Sequence, residues 1–225
     1  SSEKFVAAAE GSHLSIGCSG NISTYFIASE LKDFLAQETK HFSWNILTAK
    51  NPDLGDLLEN GEIDLAAMEW ADERPGFSVK PWRREPLVVV VPPDHPFARQ
   101  KNISVTQLFE LELIGGERGS GTGTLLTQAF GKRAQNLKIT KTLHSTEAVK
   151  NAVRAGLGSS IMLKGAVRDE VEAGQLASLN IEGIDLVKTF HLALPSELPI
   201  ATLPSRLAMF LTDCTKNLEQ SADQA

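Results

Sequence analysis

The stretch Leu113-Ile-Gly-Gly-Glu-Arg-Gly-Ser-Gly-Thr-Gly-Thr-Leu-Leu126 decides how this chain is read, together with Ser145-Thr-Glu-Ala-Val-Lys-Asn-Ala-Val-Arg-Ala-Gly-Leu-Gly-Ser-Ser-Ile-Met162. In the first, an apolar strand runs into a Gly/Ser/Thr turn and then into a helix. Backbone N–H groups and short hydroxyls therefore gather at one helix N-terminus, where the helix dipole favours a small anion. That arrangement predicts a small-molecule sensor.

The same order recurs on both sides. Leu14 to Gly17 reads as a short strand, and Ser23 or Thr24 is expected to cap a helix whose apolar positions are Ile27, Leu31, Phe34 and Leu35. A strand around Trp44 to Leu47 follows. A helix opened by Pro52-Asp53 and ended by Asn60-Gly61 comes next, then a strand from Ile63 to Met68. This β-α-β-α-β order implies a parallel sheet with helices on its faces. Val88 to Val91 is a β-branched run expected to be buried on both faces and stopped by Pro92-Pro93; it reads as a crossing between two lobes. Ser104-Val-Thr-Gln107 has capping-box spacing. Strands near 111–114, 139–143 and 160–163 alternate with helices behind Gly123, near 146–155 and near 166–173. His191 to Pro195 reads as the return crossing, and Ser205 as the start of a last helix carrying Leu207, Phe210, Leu211, Cys214 and Leu218. Ser15 to Leu31 and Leu113 to Phe130 are alike, each a strand, a Gly/Ser/Thr turn and a helix. In open α/β sheets the ligand crevice lies at the carboxyl ends of the strands, where these turns sit.

Composition narrows the function. The 225 residues hold 22 Lys and Arg against 28 Asp and Glu, a formal net charge of −6 with no basic tract, so this segment is not expected to bind nucleic acid by itself. No apolar run reaches the length of a membrane span, and Ser1 to Glu10 lacks the layout of an export signal. Cys18 and Cys214 lie far apart and read as free thiols of a reducing compartment, Cys18 as a small buried side chain at a strand end or, beside the ligand loop, as a reactive thiol.

No enzyme motif is completed. Gly116 to Gly121 has P-loop spacing, but Thr122 stands where the lysine belongs. Gly119, Gly121 and Gly123 miss the dinucleotide spacing, and Gly17-Cys-Ser-Gly-Asn21 misses the nucleophile elbow at its last residue. The five histidines are scattered over different elements, so neither a metal site nor a Ser/His/Asp set can be assembled. The candidate binding residues are therefore turn residues. In the first half they are Ser19, Gly20, Asn21 and Ile22, with Ser19, Asn21 and Ser23 able instead simply to satisfy a turn and cap a helix. Glu69 and Trp70 follow the strand that ends at Met68 and should emerge at the same sheet edge. Glu69 could accept from a ligand hydroxyl or amine, or pair with Arg118; Trp70 could be a lid or a contact. In the second half the candidates are Arg118, Gly119, Ser120, Gly121, Thr122, Ser145 and Thr146. Arg118 either makes a bidentate contact to an oxyanion or is a solvated surface charge, and His144 reads as a surface histidine.

Taken together, the Glu117-Arg-Gly-Ser-Gly-Thr122 turn, the Ser145 to Gly158 run, the Pro52 to Ala66 spacing and Val90-Val-Pro-Pro-Asp-His-Pro96 resemble the effector-binding domain of LysR-type transcriptional regulators. The resemblance covers about Leu14 to Leu218. It implies an α/β fold of two Rossmann-like lobes joined by two crossover strands, like type 2 periplasmic binding proteins. Residues 1–13 would be the end of a linker helix, 14–88 with 194–225 lobe I, and 89–193 lobe II. It implies no enzyme activity and no cofactor, but a small, anionic metabolite bound between the lobes to control transcription in the cytoplasm. The partners would be a homodimer or homotetramer, and DNA only through an N-terminal winged helix-turn-helix absent from this chain. The family commonly has Ser or Thr where Asn21 stands, and Arg on either side of the second turn, where this chain has Gly116 and Gly123. A solute-binding protein of a transport system would share the fold and is the alternative.

Overall fold

The computed structural model describes residues 13–116 and 120–222, the last of these (214–222) by backbone alone. Of the segment expected to end a linker helix, all but His13 lies outside the described residues, and His13 begins the first strand. The chain divides into two compact units. The first ends at Arg84 and resumes at Thr189; the second runs from Glu85 to Lys188. Both divisions fall inside long strands, on the N-terminal side of the 88/89 and 193/194 boundaries read from the sequence.

The first unit is built on β1 (His13–Cys18), α1 (Gly20–Tyr25), α2 (Ile27–Gln37), β2 (Ser43–Thr48), α3 (Asn51–Glu59) and β3 (Leu65–Met68). β1 lies between its two successors, parallel to β2 from His13↔Ser43 to Cys18↔Thr48 and parallel to β3 from Ile16↔Leu65 to Cys18↔Ala67. Parallel strands need helical crossovers, which α2 and α3 supply. Leu54 and Leu58 of α3 pack on Ile63, Ala66, Met68 and Ala193, all within 2% of full burial. Gly17 lets that helix approach β1, because a methyl there would overlap the side chains of Ile63 and Leu54. Elsewhere in the unit Phe190 stacks edge-on against Phe26 with centroids 5.2 Å apart, and Phe34 meets Phe210 of α8 (Leu203–Ala222) at 5.6 Å.

Two local expectations are corrected. Neither Ser23 nor Thr24 caps a helix: both hydroxyls donate back to the Gly20 carbonyl inside α1, and the long helix restarts after Phe26. The last helix begins at Leu203, not at Ser205, whose hydroxyl instead meets Thr202 Oγ1 at 3.0 Å.

The second unit holds β5 (Asn102–Ile103), α4 (Val105–Glu110), β6 (Glu112–Ile114), α5 (Gly121–Phe130), β7 (Lys138–Lys141), α6 (Thr146–Arg154), β8 (Ser160–Leu163), α7 (Arg168–Glu172) and β9 (Ala177–Ile181). The chain reaches it along β4 (Phe77–Val91) and leaves along β10 (Val187–Pro195). Val88 to Val91 are buried on both faces, paired antiparallel with β8 and β9. Ser104 and Gln107 form the expected reciprocal capping box on α4. β6 and β7 run parallel, and Ser159 exchanges backbone hydrogen bonds with β6 at 2.8 Å. Val88, Val90, Ile114, Val149, Val153 and Met162 form the core beneath α6.

Candidate functional site

In the first unit the site follows from the parallel pairing of β1 and β3. Ser19 follows β1 and Glu69 follows β3, so fifty residues of sequence separation become adjacency at one carboxyl edge. Ser19 N donates to Ala67 O at 3.0 Å, which continues the ladder one residue past β1. The backbone of Ser19 takes the extended conformation of an N-cap, but its hydroxyl makes no cap bond. Instead Ser19 Oγ donates to Glu69 Oε1 at 3.2 Å, and Asn21 Nδ2 donates to the same oxygen at 3.0 Å. The structure thus brings Ser19, Asn21 and Glu69 together.

The other candidates of this unit are arranged around that trio. Gly20 has open space where a side chain would stand, and its carbonyl receives Ser23 and Thr24. Ile22 is wholly buried, and its side chain anchors α1 to the core. Trp70 is 48% exposed. Cys18 is wholly buried and its thiol is pushed up to about 12 by that burial, which leaves it unreactive at neutral pH.

Sequence reasoning missed the residues that hold Glu69 in place. Asn51 precedes Pro52 at the start of α3, which suggests a helix cap, yet Lys50 occupies that position and the Asn51 amide turns inward. Its Oδ1 accepts from Glu69 N and its Nδ2 donates to Trp70 O, both at 3.0 Å, with only 2% of the residue exposed. Farther along the same loop Arg74 binds Asp72 and reaches Asp56 at 2.7 Å and Glu59 at 3.1 Å on α3. Gly55 leaves room for this, since a methyl there would overlap the Asp72 and Arg74 head groups. On the neighbouring strand, Thr48 Oγ1 donates to Ser23 Oγ at 2.9 Å and ties β2 to α1. An Asn before a helix-opening Pro and an Arg among acidic residues were the available signals.

In the second unit, Arg118 and Gly119 lie outside the described residues. Ser120 caps α5, its Oγ accepting from Gly123 N at 2.9 Å, with Gly121 and Thr122 half-buried in the first turn. Ser145 caps α6 in the same way, accepting from Ala148 N at 3.3 Å, and Thr146 is the first helical residue. The two helices start beyond adjacent parallel strands, since Gly115 N donates to Lys141 O, so both N-termini sit at one sheet edge. His144 is exposed, as expected. Behind α6, the buried Lys150 ammonium donates to Glu147 at 2.9 Å, Glu170 at 2.6 Å and the Ala166 carbonyl at 2.9 Å. Burial alone would lower its pKa, but the two carboxylates outweigh that and raise it. Among the described residues no group of His, Cys, Asp and Glu is placed to hold a metal, and no helix is long and apolar enough to cross a membrane.

Comparison with known proteins places this geometry in a family. Residues 7–213 match the LysR substrate binding domain. The transcriptional regulator protein PtxE of Stutzerimonas stutzeri is 38% identical over 115 residues, 51% of this chain and 59% of that protein. The RuBisCO operon transcriptional regulator of Allochromatium vinosum is 30% identical over 158 residues, 70% of this chain and 52% of that protein. The chain therefore spans between about half and three-fifths of the length of these relatives. Among solved structures, the regulatory domain of Synechocystis PCC6803 CcmR in complex with 2-PG superposes with a TM-score of 0.78 at 23% identity, covering 92% of this chain and 99% of that one. The effector binding domain of QuiR in complex with shikimate gives 0.78 at 20% identity, covering 92% and 98%. At these identities the likeness shows the fold, which is the type 2 periplasmic-binding-protein-like α/β fold. With the family matched over nearly its whole length, this chain belongs to the LysR substrate binding domain family.

Proposed function

We propose that this chain is the effector-sensing part of a LysR-type transcriptional regulator. It binds a small, anionic metabolite, and each unit by itself presents candidate contacts: the turn after β1 and the Glu69 loop in the first, the capped turns before α5 and α6 in the second. The observation that carries the reading is the convergence of Ser19, Asn21 and Glu69 at the carboxyl edge of a parallel sheet, where α/β folds place their ligands. The family match and the regulator names of the relatives support it. In the complete protein, a homodimer or homotetramer in the cytoplasm, the effector would act by binding one arrangement of the regulator better than another and so changing how its DNA-binding domains are presented. Neither catalysis nor a cofactor is assigned.

The test is thermal unfolding against a panel of carboxylates, oxyanions, amino acids and phosphorylated metabolites. A ligand at 100 times its dissociation constant stabilises the native state by about 2.7 kcal/mol. For a chain of this size the midpoint rises roughly 2–4 °C per kcal/mol. A selective rise that is lost in Asn21→Ala and Ser120→Ala supports the reading, whereas a rise indifferent to both substitutions removes it. A signal peptide, rather than a helix-turn-helix, encoded upstream of Ser1 would transfer the chain to solute transport.

A further inference from the structure

The donors of the first turn already have a carboxylate on them. Ser19 Oγ and Asn21 Nδ2 converge on Oε1 of Glu69, at 3.2 and 3.0 Å. This carboxylate does not ride on a loose loop. Asn51 grips the backbone on both sides of it, and Arg74 fastens the continuation of the loop to acidic side chains of α3. The clamp holds the Cα of Glu69 at this edge, and the Ser19 and Asn21 donors hold its carboxylate there. A ligand reaching this edge therefore meets a carboxylate, which only accepts hydrogen bonds and repels like charge, in place of Ser and Asn donors.

We infer that Glu69 is a specificity-determining residue: it pre-occupies the donors of the β1 turn, so that the part of the effector meeting it must bring a hydroxyl or amine. A bare inorganic oxyanion is turned away there. The effector class that fits is a small hydroxy- or amino-bearing acid, its donor on Glu69 and its anionic group elsewhere. This inference rests on the sensor reading above, because it assigns one part of that effector.

The experiment follows the Asn21 side-chain amide in ¹H–¹⁵N spectra of the whole chain during titration with sodium sulfate. In the wild type this signal should show no saturable shift. Glu69→Ala removes the carboxylate from Ser19 Oγ and Asn21 Nδ2, and sulfate should then bind at the Asn21 signal at least about tenfold more tightly than in the wild type. Glu69→Gln keeps an acceptor oxygen for both donors, removes the charge and puts an amide donor in place of the second oxygen. It should give intermediate affinity, and it guards against loss of fold in the alanine variant. Saturation at equal sulfate concentration in all three proteins overturns the inference, and so does the absence of any sulfate-dependent shift in both variants. These outcomes are independent of the effector panel on the wild type, where the sensor reading succeeds or fails by itself.

Discussion

Asn51→Ala tests whether the site is held by α3 or merely lies beside it. The side chain makes two hydrogen bonds at 3.0 Å, one from Glu69 N and one to Trp70 O, and 2% of the residue is exposed. Truncation leaves one backbone donor and one acceptor without their partner, and an unsatisfied buried group costs about 1–3 kcal/mol. Glu69 is half-buried and Trp70 is 48% exposed, so water reaches part of the gap. We therefore expect a loss of about 2–4 kcal/mol, a fall of roughly 5–15 °C in midpoint at 2–4 °C per kcal/mol. Asn51→Asp is the sharper variant. It keeps the acceptor for Glu69 N, loses the donor to Trp70 O, and places a second carboxylate near Glu69. Ionised, it faces a carbonyl oxygen; protonated, it regains a donor. The folded-state pKa of the new acid should thus be raised, so the Asp variant should be nearest to the wild type at acidic pH. Its deficit should grow as pH rises through the carboxylate range. Urea denaturation followed by circular dichroism between pH 4 and 8 reads both. An alanine variant within about 0.5 kcal/mol of the wild type, or an aspartate variant with a pH-independent deficit, refutes the clamp.

Three further outcomes follow from the packing. Lys150→Met should cost about 3 kcal/mol, because Glu170, only 18% exposed, is left as an unpaired carboxylate. Since the Lys150 pKa is raised in the fold, its contribution is complete below the ordinary lysine value of about 10.4 and is lost as pH climbs through the raised one. Wild-type stability should accordingly fall more steeply above pH 10 than that of Lys150→Met in urea titrations; parallel curves would contradict this. Gly17→Ala forces a methyl into the Leu54 and Ile63 side chains and should destabilise by about 1–3 kcal/mol in thermal melts, whereas Gly20→Ala, facing open space, should not match it. Finally, Cys18, wholly buried with its thiol pushed up to about 12, should resist a disulfide exchange reagent at pH 8 until the chain is unfolded. Mass spectrometry of the Cys18 peptide measures this, and labelling at the rate of an exposed thiol would show that β1 opens.

Much of the fold was legible because its signals are local. The strand ending at Ile114, the Ser120-capped helix to Phe130, the Ser104–Gln107 capping box, the Ser145 start of α6 and the helix opened by Pro52 all depend on contacts within a few residues. Where a local signal was ambiguous, the reading slipped. Ser23 and Thr24 look like caps, but their hydroxyls bond backward to Gly20. The β-branched run marks β4 only from Val88, although the strand begins at Phe77, because Pro81 and Pro86 interrupt the pattern and proline ordinarily argues against a strand interior.

The sequence by itself determined the β-α-β order, the helix starts and the residues that could bear a ligand, since backbone propensity and capping act over three or four positions. Tertiary structure alone decided which of those residues meet. Ser19 and Glu69 are neighbours because β1 and β3 pair in parallel, and Asn51 serves the Glu69 loop rather than its own helix because α3 packs beneath that edge. Lys150 adds Glu170 to its own-helix neighbour Glu147 because α6 and α7 lie together, and it is the Glu170 contact that the packing decides. Those partnerships join residues up to fifty positions apart, and no local rule of propensity or spacing encodes a contact that only the closing of the sheet creates.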